Sequence, residues 1–220
     1  MDVRFHTFDE RPPDTIPNAA VAIKSVDENQ RHVGIFHRND FTGELKLLHL
    51  AWHFELRNSN PNPDYAWVDP NLPKARAVQV AARCRQVLRA NPKGLPYVFS
   101  SPNDCFDGDT GKYLFGPTRH GLTCATFVLA IFHSAGLPLV RYDTWPASRA
   151  DDDTWRQEVI KALQNDGATQ EHINAIQSEP GAVRFRPEEV AGAAGNGKIP
   201  VAFGDAVEHG NQILAKLVPR

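Results

Sequence analysis

Three cysteines and nine histidines are the residues of this 220-residue chain that could perform nucleophilic chemistry. A cysteine nucleophile needs a base within hydrogen-bonding reach, and histidine is a common base. Cys124 is the candidate nucleophile because it directly precedes ATFVLAIFHSA, an apolar stretch with the pattern of a buried helix. The positive end of a helix dipole stabilises a thiolate, so we expect the pKa of Cys124 to be lowered. Free N–H groups at the same end could bind an oxyanion.

The sequence marks both ends of this helix. Thr123 is a suitable N-cap, Gly136 fits the left-handed position that often follows a helix, and Pro138 prevents continuation. A helix is therefore predicted over 123–135. Its apolar residues recur at i, i+3, i+4 and i+7, and Cys124 lies on this core-facing side.

Four histidines lie on two consecutive predicted strands and are candidate partners for the thiol: His32 and His37 on the first, His49 and His53 on the second. Zinc binding is the alternative use. However, His32 and His37 differ in parity, so they face opposite sides of a sheet, and His49 and His53 stand about 13 Å apart along a strand. A metal could take one histidine from each strand, but no cysteine or carboxylate cluster is evident to complete such a site, so we expect no metal. No organic cofactor is implied either, and we assign His37 and His53 to the surface or to packing.

Other residues compete for the same roles. Cys105 lies in a polar loop and is an alternative reactive thiol, whereas Cys84 falls on the apolar face of a predicted helix and is expected to be a buried structural cysteine. His120, four residues before Cys124, could line the same site or act as the base. Cys124, His32 and His49 could each be packing residues instead.

The elements that would position these residues belong to an α+β fold. Strands are predicted over 19–26, 31–38, 44–56, 137–142 and 182–186, with a further short strand within 93–101. Helices are predicted over 74–90, 123–135, 150–165, 169–177 and 203–217, and residues 187–190 are predicted to start a short helix. The strand over 44–56 is apolar on both faces, which is typical of a central strand.

The same patterns divide the chain into three parts. Residues 1–18 are polar and proline-rich and are predicted to be an irregular lead-in, 19–142 the catalytic core, and 143–220 a mainly helical extension packed on that core. The loop over 58–73 contains a short ordered piece at 65–68. The DGDTGK sequence at 107–112 lacks the downstream glutamate of a calcium loop and is predicted to be a turn.

Charge, cysteine spacing and apolar content indicate which partners and which cell compartment to expect. A net charge of −2 gives no general attraction to nucleic acid or membrane. Six basic residues within 74–93 could contact an anionic surface, although a solvated helix face is the alternative. The irregular cysteine spacing indicates free thiols in a reducing compartment. Without a signal peptide or an apolar run of 18 residues, we expect no integral membrane segment, and a cytoplasmic protein or an effector delivered without a classical signal.

Three short segments together resemble a known family: HVGIF at 32–36, LLHLA at 47–51, and CATFV at 124–128. In this order they are similar to the circularly permuted branch of the NlpC-type, papain-like cysteine hydrolases, which includes the lecithin:retinol acyltransferase relatives. The resemblance covers about 21–138 and implies a papain-like antiparallel sheet packed against helices, with extra helices after it.

The resemblance also assigns roles. It implies that Cys124 is the nucleophile, His32 the general base and acid, and His49 the group that orients His32, with His120 and Thr123 as accessory candidates. The implied reaction is hydrolysis of an amide, in a peptide or isopeptide, through a thioester, and the implied substrates are peptide, peptidoglycan or acyl-lipid. The alternatives are a lipid-directed acyltransferase or thioesterase of the same fold, and a binding module without turnover.

Overall fold

A computed structural model describes residues 3–99, 104–116, 120–178 and 183–217, and within them the chain has an α+β fold with six strands and six α-helices. The strands are β1 Phe5–His6, β2 Ala19–Ser25, β3 Arg31–Arg38, β4 Leu45–Trp52, β5 Glu55–Ser59 and β6 Ala66–Val68. The helices are α1 Lys74–Ala90, α2 Cys124–Ser134, α3 Asp152–Asn165, α4 Gln170–Ser178, α5 Pro187–Gly195 and α6 Phe203–Leu214.

The six strands form one antiparallel sheet in the order β1-β6-β2-β3-β4-β5. The β2–β3 hairpin is paired over its whole length, from Ala19 opposite His37 to Ser25 opposite Arg31. By contrast, β3 pairs with β4 only from Ile35 to Arg38. The N-terminal half of β3 therefore extends beyond its ladder with β4.

The main core lies on one face of the sheet. Helices α1, α2 and α5 pack on this face, against β3 residues such as Val33 and Ile35. A smaller apolar cluster covers the other face, where Phe36 and Leu47 meet Trp67. Because side chains alternate along a strand, His32 and Gly34 share the face of Phe36.

Helix α2 confirms the prediction from the sequence to within one residue at each end. Thr123 is its N-cap, and Gly136 takes the left-handed conformation with φ 71°. Every residue from Cys124 to Phe132 is buried, on all sides of the helix. An apolar helix packed by the sheet, α1 and α5 has no face left for solvent.

The strand predicted over 44–56 is wrong as a single central strand, because the chain reverses after Trp52 and forms the separate edge strand β5. Phe54 supplies the reversal with a positive φ of 58°, and its N–H donates to the carbonyl of Leu95. The apolar pattern runs through this turn, so periodicity alone could not locate it.

The three later predicted strands are also wrong within the described residues. Residues 94–99 and 183–186 form no strand, and within 137–142 only Val140 makes a bridge, to Val201. Backbone groups in these segments bond elsewhere: the carbonyl of Pro96 accepts from Leu122, and that of Arg184 accepts from the Arg149 side chain. Residues 100, 101 and 182 of these predictions lie outside the described residues.

The N-terminal lead-in is more ordered than expected. Its strand β1 pairs with β6, which in turn pairs with β2, and residues Pro13–Thr15 form a 3-10 turn. The ordered piece predicted at 65–68 is thus a strand inside the sheet. Residues 1 and 2 lie outside the described residues.

The predicted helices are all present, with α1 matching its expected range and α5 running on to Gly195. Helix α5 contacts β2, β3 and α2, so part of the C-terminal region lies directly on the sheet. Among the described residues, none of the helices combines the length and the apolar character that crossing a bilayer requires.

Candidate active site

The structure brings two of the predicted site histidines into direct contact. Nε2 of His32 on β3 lies 2.8 Å from Nδ1 of His49 on β4. Gly34 makes this possible, because a Cβ on Gly34 would stand only 2.8 Å from the Cβ of His49. The missing side chain leaves the space across which His32 reaches His49.

Ser59 and Tyr65 also lie close to this pair of imidazoles. Nε2 of His49 lies 3.5 Å from the hydroxyl oxygen of Ser59 on β5. The Tyr65 ring packs edge-on against both imidazoles, with centroid distances of 6.3 Å to His32 and 6.2 Å to His49. Nδ1 of His32 makes no hydrogen bond to any of the described residues. It is the ring nitrogen left for a reacting partner.

The thiol of Cys124 meets the backbone of β3 directly after His32. The backbone N–H of Val33, the residue directly after His32, donates a hydrogen bond to the thiol. Cys124 also influences the pKa of Tyr65, whose ring packs on both histidines. The first turn of α2 therefore meets the unpaired half of β3 where the histidine pair lies.

The cap of α2 directs backbone donors to the sulfur. Thr123 and Thr126 form a reciprocal capping box, in which the Thr123 hydroxyl accepts the N–H of Thr126 at 3.2 Å and the Thr126 hydroxyl accepts the N–H of Thr123 at 2.8 Å. The N–H groups of Cys124 and Ala125 remain and hydrogen-bond toward the thiol. Thr123 thus acts as the N-cap and also lines the cleft beside the thiol.

Tyr97 is a site residue that the sequence did not reveal. Its hydroxyl hydrogen-bonds to the Cys124 thiol, and its oxygen accepts the backbone N–H of Cys124. The residue lies in the irregular segment 94–99, inside a stretch predicted as a strand, and its sequence context carries no motif. Only the three-dimensional contact identifies it.

Burial decides the protonation of the resting site. It raises the pKa of Cys124 despite the backbone and Tyr97 donors, so the expected lowering of this pKa by the helix terminus is wrong. Burial, with the neighbouring imidazole, lowers the pKa of His32 to about 3, and burial lowers that of His49 to about 4. At neutral pH the resting site therefore holds a neutral thiol and two neutral imidazoles.

A cleft of about 260 Å³ opens beside Cys124. Trp155 lines it, with Arg184 stacked over the indole at 4.3 Å. Asp151 pairs with Arg184 at 3.0 Å and with Arg186 at 2.6 Å. The walls therefore combine aromatic surface with arginines whose charge is already paired, and they come from the sheet side and from the C-terminal region.

The competing candidates are not assembled with this site. His120 is exposed, stacks on Phe115 at 4.9 Å and does not line the cleft. Cys105 is buried, and burial raises its pKa to about 12, so its prediction as an exposed reactive thiol is wrong. The burial of Cys84 in the core is confirmed.

His37 lies on the other face of β3, where its Nε2 is 2.9 Å from Oδ1 of Asn58.

No group of three or more His, Cys, Asp or Glu side chains suited to a metal ion occurs in the part of the chain that the structure describes. Asp107, in the predicted DGDTGK turn, uses its carboxylate to accept from the N–H and hydroxyl of Thr110, and the turn is confirmed.

The basic segment over 74–93 is partly used inside the protein. Arg83 is buried and donates to the carbonyls of Asp107 and Gly108. Arg85 donates to the carbonyl of Arg38 and pairs with Asp40. Two of its six positive charges therefore hold loops in place, which weakens the case for an anionic surface contact.

Comparison with protein-family models, with curated proteins and with solved structures found no match for this chain.

Proposed function

We propose that the protein is a cysteine hydrolase that cleaves an amide bond, with Cys124 as nucleophile, His32 as general base and acid, and His49 as the group that orients His32. One observation carries the proposal: a cysteine on the first turn of a buried helix accepts a hydrogen bond from the backbone N–H of Val33, and Val33 directly follows a histidine whose imidazole is hydrogen-bonded to a second imidazole. Thiol catalysis requires a nucleophile, a base within its reach and a group that orients the base, and these three residues supply those types.

The contacts suggest how the groups share the chemistry. His49 accepts the Nε2–H of His32, which leaves the Nδ1 lone pair of His32 for the thiol proton. As that proton moves to His32, the sulfur attacks the carbonyl carbon, and the N–H groups at the start of α2, which lie beside the sulfur, stabilise the oxyanion. His32 then protonates the leaving amine, and water hydrolyses the thioester.

For the fold, the proposal is the permuted papain-like arrangement. Its support is the order of the parts: the histidine-bearing strands β3 and β4 precede the cysteine helix α2, and α2 packs against both strands. Cleavage of a peptide or isopeptide is preferred to lipid acyl transfer because the cleft walls carry many charged side chains. Arg83 and Arg85 bond to other parts of the protein and so are not free to bind a lipid surface, which also favours a peptide or isopeptide substrate.

A panel of peptides, isopeptides, peptidoglycan fragments and phospholipids tests the proposal, with product release measured for the wild type and for Cys124→Ala. We expect amide cleavage that Cys124→Ala abolishes and that His32→Ala slows by about 10² to 10⁴. Cys84→Ala and His37→Ala are the matched controls, because Cys84 lies in the core and His37 on the opposite face of the same strand. Equal loss of turnover in His37→Ala and His32→Ala would contradict the assignment, as would cleavage that survives Cys124→Ala.

A further inference from the structure

Two histidines hold the backbone of Tyr97 from both sides of the residue. Nδ1 of His53 accepts the Tyr97 N–H at 3.1 Å, and Nε2 of His172 donates to the Tyr97 carbonyl at 3.3 Å. The two rings also pack on one another, with centroids 4.3 Å apart. His53 lies in the turn between β4 and β5, whereas His172 lies on α4 and is only 1% exposed.

The side chain of Tyr97 is fixed at its other end by the candidate site. Its ring packs on Trp52 with centroids 4.6 Å apart, and its hydroxyl lies between the thiol and the backbone N–H of Cys124. The Tyr97 oxygen accepts that N–H, so the hydroxyl hydrogen is free to point at the sulfur. The two histidines thus hold the backbone of Tyr97, while its hydroxyl contacts the thiol.

We propose that His53 and His172 are positioning residues, which hold Tyr97 so that its hydroxyl donates a hydrogen bond to the Cys124 sulfur when that sulfur becomes negatively charged. The inference deepens the proposed function and rests on Cys124 being its nucleophile. It also gives the C-terminal region a part in the site, because His172 belongs to that region.

The backbone bonds around Tyr97 leave a place for such a clamp. Residues 94–99 form no strand, and Leu122 bonds to the backbone of Pro96 and Val98 on either side of Tyr97, so the bonds to the N–H and carbonyl of Tyr97 itself come from His53 and His172. A donor that stabilises developing charge must be held to within about 0.5 Å. Burial and His172 lower the pKa of His53 to about 4 although Asp166 acts to raise it, so His53 is neutral above pH 5 and keeps the lone pair that accepts the Tyr97 N–H.

The test is the rate at which iodoacetamide alkylates Cys124 at pH 8, measured by mass spectrometry in a double-mutant cycle. Tyr97→Phe removes the hydroxyl, and we expect the rate to fall about five- to tenfold, the effect of one lost hydrogen bond. His172→Leu and His53→Ala should each slow alkylation at least twofold in the wild type. Neither should slow it further in the Tyr97→Phe background.

Conservative variants separate positioning from general stability. His172→Gln keeps a donor near the place of Nε2, and His53→Asn keeps an acceptor near the place of Nδ1, so both should alkylate at close to the wild-type rate. Should His172→Leu fail to fold, His53→Ala in the partly exposed turn carries the test alone. Equal slowing with and without the Tyr97 hydroxyl, or an unchanged or faster rate in folded His53→Ala, would overturn the inference. Because alkylation needs no substrate, the inference can fail while hydrolysis is demonstrated, and the reverse also holds.

Discussion

At the scale of single residues, the environment of Cys124 decides its chemistry more than its place on the helix does. The helix terminus supplies two N–H donors, and Tyr97 supplies its hydroxyl. Burial of the sulfur outweighs these donors, so the pKa of Cys124 is raised. The imidazole of His32 is neutral for the same reason. A thiol in this state becomes nucleophilic only as its proton leaves, so proton transfer and attack are coupled.

A neutral resting thiol predicts the pH dependence of alkylation. The thiolate fraction of Cys124 should keep rising through pH 9, so its reaction with iodoacetamide should accelerate from pH 7 to beyond pH 9 without levelling off. Cys124→Ser gives the background from the other thiols, which burial also protects. A plateau reached below pH 7 would instead show a thiolate paired with a charged imidazole.

At the scale of elements, the sequence predicted those parts whose signals are local. Thr123, Gly136 and Pro138 mark the ends of α2, and the turn residues around 27–30 mark the β2–β3 hairpin, so both agree closely with the structure. The reversal at Phe54 is set by its contact with Leu95, a residue distant in the chain, and no local pattern announces it. The same limit explains why no sequence pattern marks Tyr97, whereas the short motif segments mark His32 and His49, whose imidazoles are in contact.

The close approach of β3 and β4 makes Gly34 a sharp test of the histidine pair. Gly34→Ala would place a Cβ 2.8 Å from the Cβ of His49 and 3.0 Å from the carbonyl of Leu48, so β4 must shift. We expect the free energy of unfolding to fall by about 1 to 3 kcal/mol and turnover to fall with it.

The control for this substitution lies in α6. A Cβ added at Gly204 would meet no atom within 4 Å beyond its chain neighbours and its own helix backbone, and Gly204→Ala should leave stability unchanged or raise it by up to about 1 kcal/mol. Urea unfolding measures both variants. Equal stability of Gly34→Ala and the wild type would mean that the space beside His49 is not needed.

At the scale of the whole molecule, the buried histidines make the free energy of unfolding depend on pH. Burial lowers the pKa of His37, of His32 to about 3, and of His49 to about 4, whereas histidines in an unfolded chain titrate near 6.5. Above pH 6.5 neither state binds these protons. Below it, the unfolded chain takes up protons that the folded protein does not, so unfolding becomes more favourable.

Acidification should therefore weaken the fold before most carboxylates titrate. Between about pH 6 and 4.5 the free energy of unfolding should fall by up to about 1.4 kcal/mol per pH unit for each such histidine. Urea unfolding at pH 7.5, 6.5, 5.5 and 4.5 measures this slope, and His37→Asn should make it shallower. Stability that stays constant from pH 7.5 to 5 would contradict the buried, neutral state of these histidines.

The complete burial of α2 also determines how long the Cys124 sulfur keeps its position. No side of the helix from Cys124 to Phe132 faces solvent, so its amide hydrogens should exchange with deuterium only when the whole domain unfolds. The sulfur is anchored to the slowest-opening part of the molecule, whereas the cleft wall around Asp151, Arg184 and Arg186 is held by ion pairs nearer the surface. A molecule that enters the cleft would then move the wall and leave the Cys124 sulfur in place.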